Sequence, residues 1–378
     1  MLSYYGGERD GAYENNIQGE LPGAQTIYTA ALDGSAAAQS VAYLGRMFHS
    51  APFAVSKFTH ADVRLAVASH LIGRRFDVAV CDFLSASLNF PEHLATPTVL
   101  FQHNVESALW QRMAATETNP VRRFAYQIEA RKMSRYERRA LRKFHRVIAV
   151  SEHDRQQMLA MDLSCSMSVV PTGVDTGKYP LAPPASANPP RIVFTGSMDW
   201  EPNIDAIDYF CRDIFPSVLT EFPAAVFQIV GRNPHPRVKQ LASASVEVTG
   251  TVPSVAEYLR DATVVVVPLR IGGGTRLKIF EAMAMGKAVV STSIGAEGLD
   301  VQSGRDLVLA DDATAIAQAI NLLVRDEAVR RRYEEAAARL AAQFDWSNIE
   351  TRFTEVLQET ICEAARNRPE RDPLVQPS

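Results

Sequence analysis

Between residues 271 and 292 the chain reads IGGGTRLKIFEAMAMGKAVVST, and the groups capable of chemistry lie at the front. Gly272, Gly273 and Gly274 carry no side chain to hold a ligand off the backbone, so their N–H groups can close on an anion. Thr275 adds a hydroxyl and Arg276 and Lys278 add positive charge. The apolar helix that begins near Leu277 adds unpaired N–H groups and the positive end of its dipole. Cations at that end of a helix are unfavourable by about 0.3–1 kcal/mol, so the pattern calls for a bound anion to compensate. A plainer reading also fits the residues: the glycines make a turn, and Lys278 pairs with Glu281 on the helix surface for about 0.2–0.5 kcal/mol.

The elements that must position this stretch follow from the hydrophobic pattern. Ligands in open parallel sheets collect beyond the carboxyl ends of the strands, and the apolar run TVVVVP (263–268) delivers the chain straight towards Arg270 and the glycines. Around it, strands at 191–195, 224–230, 246–248 and 288–292 alternate with helices at 203–215, 255–261 and 277–285. The first half repeats the theme, with strands at 76–81, 98–101, 147–150 and 167–170. Such alternation predicts parallel, doubly wound α/β sheets. The segment YPLAPPASANPP (179–190) holds five prolines among small residues and reads as a linker. The expected organisation is therefore an N-terminal domain over 1–178, the linker 179–190 and a second domain over 191–345. A C-terminal helix follows over 346–366, set off by the turn Phe344-Asp345-Trp346, and then a disordered tail over 367–378.

Bulk properties exclude some functions. At 378 residues, 47% hydrophobic and 22% charged, the chain is an ordinary globular protein too long for one core. A net charge of -4 argues against a dedicated nucleic-acid binder. Cys81, Cys165, Cys211 and Cys362 are too scattered for a zinc site or a disulfide framework, which suits reduced thiols in a cytoplasm. No apolar run approaches the roughly 20 residues of a membrane helix. One local exception to the charge balance is 122–146, RRFAYQIEARKMSRYERRALRKFHR, with ten Lys or Arg. It reads either as a solvated helix face or as a peripheral docking segment for an anionic membrane surface.

Four motifs carry a family resemblance: FQHNVES (101–107), VVPTGVDTGKYP (169–180), IVFTGSMDWEPNIDAIDYF (192–210) and the opening stretch. Together they resemble the retaining glycosyltransferases of family 4. That resemblance implies the GT-B fold, in which two Rossmann-like domains face each other across a cleft, and a nucleotide-diphosphate sugar as donor. It makes Glu281 the acid that holds the ribose hydroxyls, and it gives His103 sugar orientation and transition-state hydrogen bonding. An isolated histidine at a strand end is more often structural. Gly196 and Ser197, in TGSMDWEPN, fall on the diphosphate loop. Base recognition falls around Gly231, Arg232 and Val252. The chemistry implied is front-face substitution assisted by the leaving diphosphate, with no cofactor and no metal.

The chain departs from the family pattern in three places. The first glutamate of the usual pair falls on Gly273, so its contact with the donor sugar is replaced by backbone N–H groups of Gly273 and Gly274. Ser197 stands where the family commonly has an arginine, and that loop has no lysine; Arg276 and Lys278 replace those cations. The opening MLSYYGGERDGAYENN resembles the second strand of such a domain and the loop after it. The N-terminal domain is therefore expected to lack its first strand, unless Gly6 and Gly7 form the glycine loop of a shortened domain. The function implied is transfer of a sugar to a glycan or lipid-linked acceptor in exopolysaccharide or envelope assembly, in the cytoplasm or on the inner membrane face. A nucleotide-sugar epimerase of the same fold and an impaired donor-binding scaffold subunit are the alternatives.

Overall fold

A computed structural model describes residues 1–5, 11–29, 49–72, 75–93, 96–183, 188–272 and 277–366. The chain divides into two compact units. The first comprises Met1–Ala149, Arg155–Ser168 and the chain from Thr354 onward; the second comprises Val150–Asp154 and Val169–Phe353.

In the first unit, β1 (Leu2–Tyr5) and β2 (Gln25–Tyr28) pair in parallel, with helix α1 (Gly11–Glu20) between them. Residues 11–16, expected as loop, are thus helical. A parallel pair needs a crossover between its strands, and α1 provides it. Gly6 and Gly7 lie outside the described residues. Helix α2 (Ala61–Ile72) packs Val63, Val67 and Leu71 against Leu2, Tyr4, Ile27 and Ala79. Strands β3 (Ala79–Asp82), β4 (Thr98–Gln102), β5 (Arg146–Ala149) and β6 (Met167–Val169) form a four-stranded sheet in chain order. Its helices are α3 (Glu106–Thr116), the long basic α4 (Pro120–Lys143) and α5 (Glu152–Met161).

The second unit is a six-stranded sheet ordered β12-β11-β10-β7-β8-β9, with every pairing parallel. Its strands are β7 (Arg191–Thr195), β8 (Val226–Val230), β9 (Val246–Gly250), β10 (Val264–Val267), β11 (Val289–Ser291) and β12 (Val308–Leu309). Counted from β7, this is the 3-2-1-4-5-6 order of a dinucleotide-binding sheet, with the reversal of strand order between β7 and β10. All four residues of β10 are buried, as expected of a strand covered on both faces. The helices of seven or more residues are α6 (Glu201–Tyr209), α7 (Phe215–Glu221), α8 (Val255–Asp261), α9 (Leu277–Ala284), α10 (Ala313–Arg325), α11 (Glu327–Ala341) and α12 (Trp346–Arg366). The single helix expected at 203–215 is instead α6, a π-turn over Phe210–Ile214, and α7. Pro216 lacks the N–H that a continuous helix would need.

The boundary falls earlier than the proline run suggests, because the second unit takes in the chain from Val169, the expected linker included. Tyr179 is buried in that unit's core, and the Ala182 N–H donates to the Met285 carbonyl. Prolines limit helix and sheet but do not prevent docking by the residues beside them. Helix α12 begins in the second unit, and from Thr354 onward it belongs to the first. There the buried Arg146 guanidinium binds Glu359 (2.9 Å) and Glu363 (2.6 Å) on α12. The tail 367–378 lies outside the described residues.

Candidate active site

The carboxyl end of β7 is where the second unit gathers its polar groups. After β7 the chain turns through Gly196 and Ser197 and enters α6, and the loop after β8 lies against it. The Gly196 N–H donates to the Val230 carbonyl and the Met198 N–H to the Arg232 carbonyl. The approach is so close that a Cβ on Gly231 would sit 1.6 Å from the Gly196 carbonyl oxygen, so no other residue fits. The Ser197 hydroxyl donates to Asp199 (2.7 Å) and accepts from Arg232 Nε (3.2 Å), which brings a guanidinium to the loop that lacks its own cation.

Lys278 reaches the same point from α9. Its Nζ donates to Asn203 Oδ1 (3.0 Å) and lies 4.1 Å from the centre of the buried Phe194 ring. A Cβ on Gly196 would lie 2.9 Å from that Nζ and 2.8 Å from Asn203 Nδ2. Asn203 is 3% exposed, and its Nδ2 donates to the Ser197 carbonyl (2.8 Å), so one buried amide ties the lysine to the β7 loop. Sequence reasoning passed over Asn203; an asparagine one turn into a helix that follows a glycine loop was its only signal.

Glu281 is half-buried on α9, and Tyr179 is its hydroxyl hydrogen-bond partner. Burial pushes the Glu281 carboxyl above its ordinary value, while the Tyr179 hydroxyl and the charges of Lys178 and Lys278 pull it back. Tyr179 was also missed, because it stands in the run read as linker. Gly272 is buried just beyond β10, and Val252 is half-buried against the core after β9. Arg270, which leads into the glycine loop, makes a two-pronged bond to Asp205 on α6 (3.0 and 2.5 Å) and lies 4.4 Å from the Tyr209 ring centre. Gly273, Gly274, Thr275 and Arg276 lie outside the described residues.

In the first unit His103 follows β4. It donates from Nε2 to Asp82 Oδ1 at the end of β3 (2.7 Å), since an ionised carboxylate can only accept. Phe83 and Phe101 stack on the ring at 4.1 and 4.5 Å between centroids. Phe83 holds a positive φ of 67°, a conformation rare for a bulky residue and concentrated at functional sites. The segment after His103 is fixed from below by Glu137, which is fully buried on α4. It accepts from the N–H groups of Glu106 (2.9 Å) and Ser107 (3.1 Å) and from the Ser107 hydroxyl (2.5 Å), so it caps α3. Burial pushes Glu137 up to about 7 despite these donors.

A phosphate-sized anion at the end of β7 would meet an ammonium, a guanidinium and a backbone turn, at the switch point where α/β sheets bind nucleotides. The glycosyltransferase family 4 description matches residues 24–178 and the group 1 glycosyl transferase description matches residues 189–326. The chain belongs to glycosyltransferase family 4. Among curated relatives, a phosphatidyl-myo-inositol mannosyltransferase of Mycobacterium leprae is 28% identical over 221 residues, 56% of this chain and 58% of the relative. The chain thus spans under two thirds of that relative's length. A D-inositol 3-phosphate glycosyltransferase of Catenulispora acidiphila is 34% identical over 31% of this chain and 28% of its own. Sucrose-phosphate synthase from Thermosynechococcus elongatus shares the fold at a TM-score of 0.66 and 14% identity, covering 96% of this chain and 99% of the neighbour. Anabaena Alr3699/HepE, solved with UDP and glucose, does so at 0.64 and 16%, covering 94% and 91%. These likenesses place the family 4 chain in the GT-B fold class, with two Rossmann-like units.

Proposed function

We propose that this family 4 protein is a retaining glycosyltransferase. It moves a sugar from a nucleotide-diphosphate donor to a glycan or lipid-linked acceptor in exopolysaccharide or envelope assembly, without a metal. The observation that carries this reading is Lys278, held by Asn203 beside Gly196 at the end of β7. Lys278 neutralises the diphosphate as it leaves, together with Arg276 and the N–H groups of Gly272, Gly273 and Gly274; Arg232, expected at the base, joins them because its bond to Ser197 holds it at the diphosphate loop. Charge placed where charge develops is the largest contribution such a site can make. Glu281 accepts the ribose hydroxyls, with Tyr179 holding its carboxylate in place. His103, oriented by Asp82, hydrogen-bonds the transferred sugar. Two names favour the reading: the mycobacterial relatives are phosphatidyl-myo-inositol mannosyltransferases, and the Anabaena neighbour was solved with UDP and glucose.

Among the described residues no helix is long and apolar enough to cross a membrane. We place the protein in the cytoplasm, meeting the inner membrane face peripherally through 122–146, where a lipid-linked acceptor would lie. A panel of UDP- and GDP-sugars, assayed by mass spectrometry with and without membrane acceptor, tests the activity. Acceptor-dependent transfer, lost in Lys278→Ala, is the expected result. Conversion of the donor sugar without acceptor would make the protein an epimerase. Donor binding with no turnover would make it a scaffold subunit.

A further inference from the structure

The structure separates the cations of 122–146 into two groups. Arg146 is buried against Glu359 and Glu363, Lys143 donates to the Ser87 and Phe90 carbonyls, and Lys132 pairs with Glu129. Arg122, Arg139 and Arg142 pair with Glu117, Glu92 and Asp162. These serve the fold or are already neutralised. Of the four that remain, all exposed and without an acidic partner among the described residues, Arg123 stands apart and Arg131, Arg135 and Arg138 fall together.

Their spacing puts them on one face of α4. At 3.6 residues per turn, Arg131, Arg135, Arg138 and the 60% exposed Phe124 all fall within about 60° of one another. The three guanidiniums line a groove of about 640 Å³ between α3 and α4, where Gln111, Gln127 and Ser134 add hydrogen-bonding groups and no acid is present. Like charges at this spacing repel, so the stripe lowers its energy when anions fill the groove. Phe124 decides what kind of anion: inorganic phosphate or polyphosphate gains nothing from an exposed aromatic ring, whereas a lipid interface takes ring and cations together.

We infer that the Phe124–Arg131–Arg135–Arg138 stripe of α4 is an interfacial docking surface for anionic phospholipid. The groove takes headgroup phosphates and Phe124 enters the acyl boundary. The inference rests on the membrane-facing reading above and assigns it to four residues.

Flotation of the full chain with phosphatidylglycerol-containing vesicles, against pure phosphatidylcholine, tests it. At an anionic surface each cation is worth about fivefold in partitioning, so the triple variant Arg131→Gln/Arg135→Gln/Arg138→Gln should bind roughly 100-fold more weakly. Its thermal melt should not fall, because no pairing is removed and the repulsion within the stripe is relieved. Phe124→Ser should weaken binding further and by a factor independent of salt. The comparison variant Arg122→Gln/Arg123→Gln/Arg139→Gln removes equal charge from outside the stripe. If it loses as much binding as the stripe variant, the stripe assignment falls and the membrane reading survives. If the wild type does not float on anionic vesicles, both fall. If Phe124→Ser has no effect while the arginine variant does, the site is a general polyanion site and the lipid assignment is wrong.

Discussion

Replacing Asn203 with alanine isolates the link that sets Lys278 in place. The side chain is 3% exposed and makes two bonds, one from the Lys278 ammonium and one to the Ser197 carbonyl. A hydrogen bond to a charged group contributes about 1.5–3 kcal/mol and a neutral one about 0.5–1.5, so Asn203→Ala should destabilise the second unit by about 3 kcal/mol. For a unit of this size, that lowers Tm by roughly 6–12 °C. The double-mutant cycle with Lys278→Ala should return a coupling of about 1.5–3 kcal/mol in stability, since the pair shares one charge-assisted bond. Ligand binding separates structure from function. By titration calorimetry, Lys278→Ala should lose about 10- to 100-fold in affinity for a nucleoside diphosphate, the worth of one charged contact, and nothing for the parent nucleoside. Asn203→Ala should lose about tenfold for the diphosphate, because the ammonium survives but is no longer held. Equal diphosphate affinity in wild type and Lys278→Ala would refute the phosphate assignment. A coupling near zero would refute the role given to Asn203.

Further outcomes follow from neighbouring residues. Because burial raises the Glu281 carboxyl and ribose binding needs it ionised, donor affinity should fall on acidification at a higher pH than for an ordinary carboxylate. In Glu281→Gln affinity should be low and flat with pH; a titration that keeps the wild-type pH profile would count against the assignment. Gly196→Ala would drive a methyl into Lys278 and Asn203, so diphosphate affinity should drop while the unit still folds; unchanged affinity would show that the β7 turn is not part of the site. Asp205→Ala frees Arg270 at the stem of the glycine loop, and should raise the donor KM more than it lowers Tm, in steady-state kinetics beside a melt. Asp82→Asn changes the acceptor facing His103, and should reduce kcat with little effect on nucleoside diphosphate affinity; a pure KM effect would place His103 in donor binding alone.

The sequence by itself determined the second unit closely. Its apolar runs became β7, β8, β9, β10 and β11 within about two residues at either end, because a buried parallel strand is a short unbroken run of Val, Ile and Phe that few other structures favour. The helix at 255–261 and the break before Trp346 were equally legible, since Asp345 accepts from both the Ser347 N–H and hydroxyl at the start of α12. Lys278, Glu281, Gly196 and Ser197 were legible as types in a motif. Their partners were not, because Asn203, Tyr179 and Asp82 lie 75, 102 and 21 residues from Lys278, Glu281 and His103 in the chain. Local pattern says which residues face a sheet end and nothing about which distant side chain completes a hydrogen bond there. The proline run misled for the same reason: its composition describes backbone preference, whereas burial of Tyr179 against α9 is a property of the folded unit. Tertiary structure alone divided the basic helix, leaving Arg131, Arg135 and Arg138 unpaired among the described residues while acids elsewhere in the chain neutralised most of the rest.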